Sequence, residues 1–386
     1  MDDTPNPSTL TRRTNRILIA LFSTLLALPT LDTFFRIDWS KPISENRRLA
    51  TFPEFEPGGL GLQAYVAGMD AYFTDHFGFR KCLVMWHNKM KWRVFKDAQG
   101  GREVLVAKDG WLFYTAHEMI NHYTGLLQFT PEQMHDWQVL LEKRRDWLAR
   151  RGIAYVFVVT PDKESVYPEY LPDWMSGSKI RAESKLDQFV AYMRDHSTVP
   201  VLDQRGVVRD GKQICPTFFV TDVHWNLFGG FLGYQELMQA MDKLRPDLEK
   251  PLPLSSFTLT NKLQPGGDLA RMLGQSLVES NAYILLPKPG LPVFTSKFPP
   301  DEHPKDPKFT YNPQAKGHLT VFQDSFAMNW VQFLGYHFHQ VDYVWQSALD
   351  AAWIEREKPD VVVSEMNELM FNIANPNELM AKEALR

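Results

Sequence analysis

One loop of this 386-residue chain combines an acid and an imidazole at a spacing suited to catalysis. Asp222 stands two residues before His224, just ahead of a helical pattern. At that spacing the carboxylate can accept a hydrogen bond from Nδ1–H, which leaves Nε2 free to act as a base. A metal-binding pair and a structural, hydrogen-bonded histidine are the alternatives. The other histidine pair, His337 and His339, has no acidic companion at helpful spacing, so we predict no metal site.

A second loop places a serine at the start of a predicted helix. Ser325 follows the apolar run His318–Phe322 and precedes a helical pattern, so its hydroxyl would lie at the edge of a sheet. Its backbone N–H would point out of the helix N-terminus, where developing negative charge is stabilised. The sequence therefore offers Ser325 as a nucleophile. The alternative is that Ser325 only caps the helix, as serines often do.

A third loop adds polar side chains after another predicted strand. Lys163 and Tyr167 follow the run Ala154–Val159, so they would lie near the same sheet edge. Both are candidates for substrate binding, whereas an ordinary solvated charge is the alternative for Lys163. Serine is a weak nucleophile unless a base activates it. The joint occurrence of serine, oriented histidine and polar loop therefore favours an enzyme.

Strands and helices alternate around these loops and predict the fold. Buried strands are predicted at 154–159, 318–322, 340–345 and 360–364, and helices at 131–150, 184–196, 227–244 and 325–334. This alternation predicts an α/β fold with a mostly parallel sheet flanked by helices, in which active groups gather at the carboxyl ends of the strands. Prolines crowd residues 287–313, which we interpret as a long surface excursion.

The N-terminus has the pattern of an export signal. Arg12, Arg13 and Arg16 precede an apolar stretch from Ile17 to Leu31, which Pro29 interrupts. Basic residues ahead of an apolar segment are typical of a secretory signal or signal-anchor, and the positive charge predicts that the rest of the chain lies outside the cytoplasm. We expect residues 1–36 to be a signal peptide or an uncleaved signal-anchor, and residues 37–386 to form one catalytic domain.

Composition excludes several classes of protein. The net charge of −4 gives no electrostatic footprint for nucleic acid, and 44% hydrophobic residues are too many for a disordered chain. The two cysteines, Cys82 and Cys215, exclude a disulfide scaffold. Whether they pair stays open, with two separate thiols preferred.

The chain resembles the SGNH hydrolase-like O-acetyltransferases of alginate and related exopolysaccharides, of the AlgJ/AlgX type. The resemblance begins with the Asp-x-His pair ahead of an Asp-Ser turn. It continues through an ordered series of further segments between residues 41 and 370: Glu45–Phe55, Ala71–Arg80, Val106–Tyr114, Pro161–Lys163, Tyr167–Glu169, Gly267–Leu273 and Lys358–Val363. Two positions differ from the family pattern, since Gln323 replaces a glycine before Asp-Ser and Asp162 replaces an asparagine before the lysine.

The resemblance implies a function and roles for the loop residues. Ser325 would carry the acetyl group, His224 would be the general acid and base, and Asp222 would orient His224. The acceptor would be an exopolysaccharide, alginate or similar. A membrane-bound O-acyltransferase would deliver the acetyl group, so no cofactor is expected. The chain is similar to the shorter, membrane-anchored branch of the family, which implies a periplasmic protein anchored in the inner membrane.

Two other functions are consistent with the same residues. A carbohydrate acetylesterase would use the same triad with water as the acceptor. A non-catalytic component of a polysaccharide secretion complex could merely retain the triad. Exposed aromatic side chains, Trp174 and Trp225 among them, are candidates for stacking on sugar rings, with burial in the core as the alternative.

Overall fold

The computed structural model describes residues 9–35, 37, 50–54, 61–80, 83, 103–300, 303, 305–383 and 385. Contacts divide the chain into two compact units. Residues 1–100 with 271–275 form the first, and residues 101–270 with 276–386 form the second. The predicted domain boundary at residue 36 stays a prediction. Cys82 and most of Glu45–Phe55 lie outside the described residues, while Cys215 is buried as a free thiol.

Within its described residues, the first unit contains two helices, α1 (Thr9–Phe35) and α2 (Gly61–His76). Within α1, residues Thr14–Asp32 are long and apolar enough to cross a membrane, with a mean hydropathy of 1.4. The helix continues through Pro29, where the sequence predicted an interruption. A signal sequence and a membrane anchor both fit this helix. In the same unit, Ala50 N–H donates to Asp75 and Phe52 packs edge-on against Tyr72.

The second unit is built on a seven-stranded sheet. Its strands in chain order are β3 (Ala154–Thr160), β4 (Val201–Asp203), β9 (Thr295–Lys297), β10 (Lys308–Tyr311), β11 (His318–Gln323), β12 (Gln340–Trp345) and β13 (Val361–Asn367). Their spatial order is β4-β3-β13-β11-β12-β10-β9. The first five in that order run parallel, and β10 and β9 add antiparallel pairs at one edge. The mostly parallel α/β sheet is therefore confirmed.

Short two-stranded ribbons complete the strands of this unit. They pair β1 (Val104–Val106) with β2 (Leu112–Tyr114), β5 (Phe257–Asn261) with β8 (Tyr283–Pro287), and β6 (Gln264–Pro265) with β7 (Val278–Glu279). The proline-rich segment 287–313, interpreted as a surface excursion, is exposed at most of its described residues, and it also supplies β9 and β10 at one edge of the main sheet. The prolines of this segment lie outside both strands, so they remove no N–H group from the strand pairing.

Helices of the second unit flank the sheet and connect its strands. They are α3 (Met119–Tyr123), α4 (Pro131–Ala149), α5 (Lys163–Val166), α6 (Asp173–Ser176), α7 (Lys185–His196), α8 (Arg205–Asp210), α9 (Leu227–Leu244), α10 (Asp268–Met272), α11 (Val331–Leu334), α12 (Ala351–Glu357), α13 (Glu368–Ile373) and α14 (Pro376–Lys382). Capping boxes at Thr130 and Ser184 begin α4 and α7. In each, the side chain of the capping residue accepts from the backbone N–H three residues later, and the side chain of that later residue accepts from the N–H of the capping residue. Asn226 caps α9 in a related way, through the N–H groups of Phe228 and Gly229.

The core between sheet and helices is apolar and rich in aromatic rings. Trp137, Phe157, Phe189 and Phe371 are all fully buried and contact one another. Burial of such side chains stabilises the fold by roughly 1.5–3 kcal/mol each. This core holds the parallel strands rigidly, so the loops after their carboxyl ends are presented from a fixed platform.

Candidate active site

Three side chains from two distant loops form one hydrogen-bonded line at the carboxyl edge of the sheet. Ser325, which follows β11, places Oγ 2.7 Å from His224 Nε2. Nδ1 of the same imidazole lies 2.7 Å from Asp222 Oδ1. A hydroxyl, an imidazole and a carboxylate in this order can pass a proton from the hydroxyl to the imidazole while the carboxylate holds the ring.

Asp222 is fixed by backbone donors on both of its oxygens. Oδ1 also accepts from the His224 N–H at 3.1 Å, and Oδ2 accepts from the Asp268 N–H at 2.9 Å. Gly267 lies against the carboxylate so closely that a Cβ there would be 2.2 Å from Oδ2. Only glycine fits this position, because any side chain would displace the carboxylate.

The two titrating groups shift each other's pKa in opposite directions. Burial by itself raises the pKa of Asp222, but hydrogen bonds from His224 and Asp268, with the charge of His224, outweigh burial and hold that pKa well below its usual range. Burial by itself lowers the pKa of His224. The hydrogen bond and charge of Asp222, with the charges of Asp268 and Asp324, outweigh it and raise that pKa above 6.5.

Ser325 precedes a 3₁₀ turn, Phe326–Trp330, but its side chain makes no capping hydrogen bond. Asp324 takes over that role, since its Oδ1 accepts from the Phe326 N–H at 2.9 Å and its Oδ2 accepts from the Asn367 N–H at 2.8 Å. The hydroxyl of Ser325 is therefore directed to His224 and not to the helix backbone. The capping alternative for Ser325 does not hold in this structure.

Lys163 and Tyr167 are both buried, and their contact with substrate stays a prediction. Lys163 is 2% exposed, and its Nζ donates to the carbonyls of Leu112 at 2.7 Å and Val220 at 3.2 Å. Burial lowers the pKa of Lys163 to about 7, against the opposing charges of nearby carboxylates. Tyr167 is 4% exposed, and its hydroxyl accepts from the Thr217 N–H at 2.8 Å. Both side chains therefore stabilise neighbouring loops from inside the protein, through hydrogen bonds to their backbone groups.

Trp225 is also buried, which agrees with the core alternative to stacking on a sugar. Its ring is fully buried, and Nε1–H donates to the Phe326 carbonyl at 2.9 Å. Because Phe326 directly follows Ser325, this bond ties the histidine loop to the serine turn. Trp174, in contrast, is 55% exposed. Its predicted role in sugar stacking stays a prediction.

Several supporting residues escaped the sequence analysis. Asn226 donates through Nδ2 to the carbonyls of Pro216 and Asn281, and so anchors the end of the histidine loop. Gly267 and Asp268 belong to a segment that carried the family resemblance, which was a signal for their importance. Glu279 is fully buried beneath the same loop. No motif points to it, because three of its four hydrogen bonds come from Val220 and Thr221, which are distant in sequence.

Two clusters of described residues have side-chain types that bind metal ions. One is Asp222, His224 and Asp268, within the site itself; the other is His318, Asp342 and Glu357. In the first cluster both imidazole nitrogens already contact protein groups, Asp222 on one side and Ser325 on the other. That arrangement suits proton transfer better than metal coordination.

A polar cavity of about 390 Å³ opens at the same end of the sheet. It lies beyond the carboxyl ends of β3, β4 and β13, and Asp162, Glu164, Arg205 and Glu368 are among its lining residues. Arg205 is held by Asp187 and Asp203, and burial raises the pKa of Glu164 to about 8. Grouped carboxyl and guanidinium side chains of this kind can hydrogen-bond to hydroxyl-rich ligands.

Comparisons with known proteins show relatives in sequence and in fold. The family model for the SGNH hydrolase-like domain of the acetyltransferase AlgX matches residues 104–368. A probable alginate O-acetylase AlgJ from Pseudomonas syringae is 26% identical over 226 residues, which cover 57% of this chain and 52% of that protein. The chain thus matches about half the length of this curated relative.

Solved structures share the fold at low sequence identity. PatB1 from Bacillus cereus, solved with a sulfonyl adduct, superposes with a TM-score of 0.53 at 16% identity, covering 72% of this chain and 99% of that one. A DHHW family protein from Eubacterium siraeum gives a TM-score of 0.51 at 13% identity, covering 73% and 95%. These similarities support the fold alone.

Proposed function

The chain belongs to the family of SGNH hydrolase-like acetyltransferases of the AlgX type, and from this premise we propose that it transfers acetyl groups to hydroxyls of an exopolysaccharide through an acetyl-serine intermediate at Ser325. The observation that carries the proposal is the line from Ser325 Oγ through His224 to Asp222, with both hydrogen bonds at 2.7 Å. The AlgJ relatives, named as probable alginate O-acetylases, support an acetylated polysaccharide as the product.

In the first step His224 Nε2 takes the proton of the Ser325 hydroxyl while Oγ attacks the acetyl carbonyl carbon. The tetrahedral intermediate carries its negative charge on the former carbonyl oxygen, and the proposed donor that stabilises this charge is the Ser325 backbone N–H. Collapse of the intermediate breaks the bond to the leaving group, which receives the proton from His224. Asp222 stabilises the imidazolium throughout, because its carboxylate stays ionised.

In the second step a sugar hydroxyl takes the place of the leaving group. His224 Nε2 removes the proton of that hydroxyl, the sugar oxygen attacks the acetyl-serine carbonyl, and the ester bond to Ser325 breaks. His224 then returns the proton to Ser325 Oγ. An esterase would follow the same steps with water as acceptor, so exclusion of water decides between them.

We place the protein in the periplasm, anchored in the inner membrane by α1. The apolar segment Thr14–Asp32 and the three arginines before or at its start support this orientation. A membrane-bound O-acyltransferase is the proposed acetyl donor, because no nucleotide-binding loop occurs in the sequence and free acetyl-CoA is not expected outside the cytoplasm. Neither nucleic acid nor a bound cofactor has a role in this scheme.

Acetyl transfer to oligosaccharides tests the proposal. The full chain in detergent would be incubated with a chromogenic acetyl ester and either polyuronate or glucan oligosaccharides, and acetylated products followed by mass spectrometry. Wild type is expected to form an acetyl-enzyme and acetylated sugar, whereas Ser325→Ala forms neither. Ester hydrolysis without any acetylated sugar would support the esterase instead. A folded wild-type protein that never becomes acetylated would support the non-catalytic role.

A further inference from the structure

Glu279 is a fully buried carboxylate that receives four hydrogen bonds beneath the catalytic loop. Oε1 accepts from the Val220 N–H at 3.0 Å and from the Asn281 N–H at 2.8 Å. Oε2 accepts from Thr221 twice, from its N–H at 2.8 Å and from its hydroxyl at 2.6 Å. Four donors converging on two oxygens suit an ionised carboxylate, which is an acceptor only.

These bonds fix the two residues that directly precede Asp222. The Thr221 hydroxyl also accepts from the Gly267 N–H at 3.0 Å, and the Thr221 carbonyl accepts from the Ala270 N–H at 3.1 Å. Glu279 thereby joins Val220–Thr221 to the segment whose Gly267 and Asp268 contact the Asp222 carboxylate. One of the two backbone donors that orient Asp222, the Asp268 N–H, therefore directly follows a residue that is bonded to Thr221.

Lys163 binds the same loop through a different backbone atom, the carbonyl oxygen of Val220. Its ammonium donates to the Val220 carbonyl, while Glu279 accepts from the Val220 N–H. The charge of Glu279 also favours the protonated form of the buried lysine. The peptide groups on either side of Val220 are thus held by opposite charges from two elements, β7 and α5, which leaves the loop little freedom to move.

We propose that Glu279 is a positioning residue for acyl transfer. Its carboxylate fixes Val220 and Thr221 and so sets the position of the Asp222 carboxylate relative to the His224 imidazole. The inference rests on the proposed function, because it assigns Glu279 to the same acylation step at Ser325. Glu279 touches neither substrate nor the reacting atoms. It acts through the Asp222–His224 hydrogen bond, whose length and direction decide how well His224 accepts the serine proton.

Replacement of the carboxylate by an amide tests this role. Glu279→Gln keeps the shape but turns one oxygen into a donor, so two of the four donors would face an NH₂ group. We expect Ser325 acylation by a chromogenic acetyl ester to slow by roughly tenfold to a hundredfold, with KM for the ester within about twofold. The matched control is Glu383→Gln, a buried glutamate that pairs with Arg144 away from the loop.

The pH profile of acylation provides a readout that a purely structural role would not change. His224 faces Asp222, Asp268, Asp324 and the Ser325 hydroxyl, and its hydrogen bond to Asp222 raises its pKa. A loosened Asp222 would therefore move the acid limb of the profile to lower pH in Glu279→Gln. The limb would stay in place in Glu383→Gln even if that variant unfolds at a lower temperature.

A second pair of variants tests the same inference if Glu279→Gln fails to fold. Thr221→Val removes the hydroxyl bonds to Glu279 and Gly267 but keeps the backbone bond, so acylation is expected to slow about threefold to tenfold. Thr310→Val, another fully buried threonine, is its control and should acylate at the wild-type rate. Wild-type acylation kinetics with an unchanged acid limb in the Glu279 or Thr221 variant would overturn the inference. Wild type that forms no acetyl-enzyme would instead refute the proposed function itself.

Discussion

Asp222→Asn isolates what the carboxylate contributes to acylation of Ser325. Oδ1 of Asp222 accepts two bonds from His224, from its backbone N–H and from Nδ1, and Oδ2 accepts one from the Asp268 N–H. An asparagine of the same shape always turns its amide group toward one of these donors. If the NH₂ group faces His224, the imidazole carries its proton on Nε2 and cannot act as a base.

Asp222→Asn also removes the negative charge that attracts the protonated His224, in addition to disturbing the hydrogen bond that orients the imidazole. With Oδ1 2.7 Å from Nδ1, the centres of carboxylate and imidazolium are about 4 Å apart, which gives an attraction of about 4 kcal/mol at an effective dielectric constant of 20. That attraction acts only when His224 is protonated, as it is in the transition state. At about 1.4 kcal/mol per factor of ten, its loss slows acylation roughly a thousandfold.

Pre-steady-state kinetics with a chromogenic acetyl ester would measure this effect. The acetyl-enzyme would be followed by intact-protein mass spectrometry, and thermal unfolding would show that the variant is folded. Asp247→Asn, which alters an exposed carboxylate paired with Arg245, is the control and should acylate at the wild-type rate. Acylation of folded Asp222→Asn within tenfold of wild type would refute the proposed role of this carboxylate.

Three further predictions follow from the same geometry. Ser325→Ala should abolish the acetyl-enzyme but change the free energy of unfolding by no more than about 0.5–1.5 kcal/mol, because the hydroxyl makes no capping bond; urea unfolding checks this, and a loss of several kcal/mol would contradict it. Acylation should increase with pH through a midpoint above 6.5, since only neutral His224 accepts a proton and its pKa is raised; a rate that is independent of pH between 5 and 8 would count against His224 as the base. Prolonged treatment with EDTA should leave acylation unchanged, because both imidazole nitrogens contact protein groups; a loss of activity that zinc restores would favour the metal alternative for Asp222 and His224.

Local sequence patterns were sufficient to predict the fold class. The predicted strands at 154–159 and 340–345 agree with β3 and β12 to within a residue, and the helix at 227–244 has the predicted bounds. Continuous β-branched runs and amphipathic periods depend on near neighbours along the chain. They can therefore be recognised without knowledge of the tertiary structure. The strands within segment 287–313 were not predicted, because the pairing of β10 with β12 is a long-range event that the composition of the segment does not reveal.

The same distinction applies to the site. The spacing of Asp222 and His224 and the turn at Ser325 were visible in the sequence, since each depends on a few adjacent residues. The sequence did not determine which side chains would be exposed around them. Lys163, Tyr167 and Trp225 have the right chemistry to bind a sugar, yet all three are directed into the protein and brace the loops.

The sequence by itself thus determined the kind of sheet, the apolar N-terminal segment and the chemical types at the catalytic loops. Only the tertiary structure decided that Ser325 and His224, 101 residues apart, share a hydrogen bond, and that Glu279 supports the loop before Asp222. The physical reason is that burial and hydrogen bonding to distant backbone groups depend on how the chain packs. A buried glutamate is stable only where donors converge on it, and those donors come together only in the folded protein.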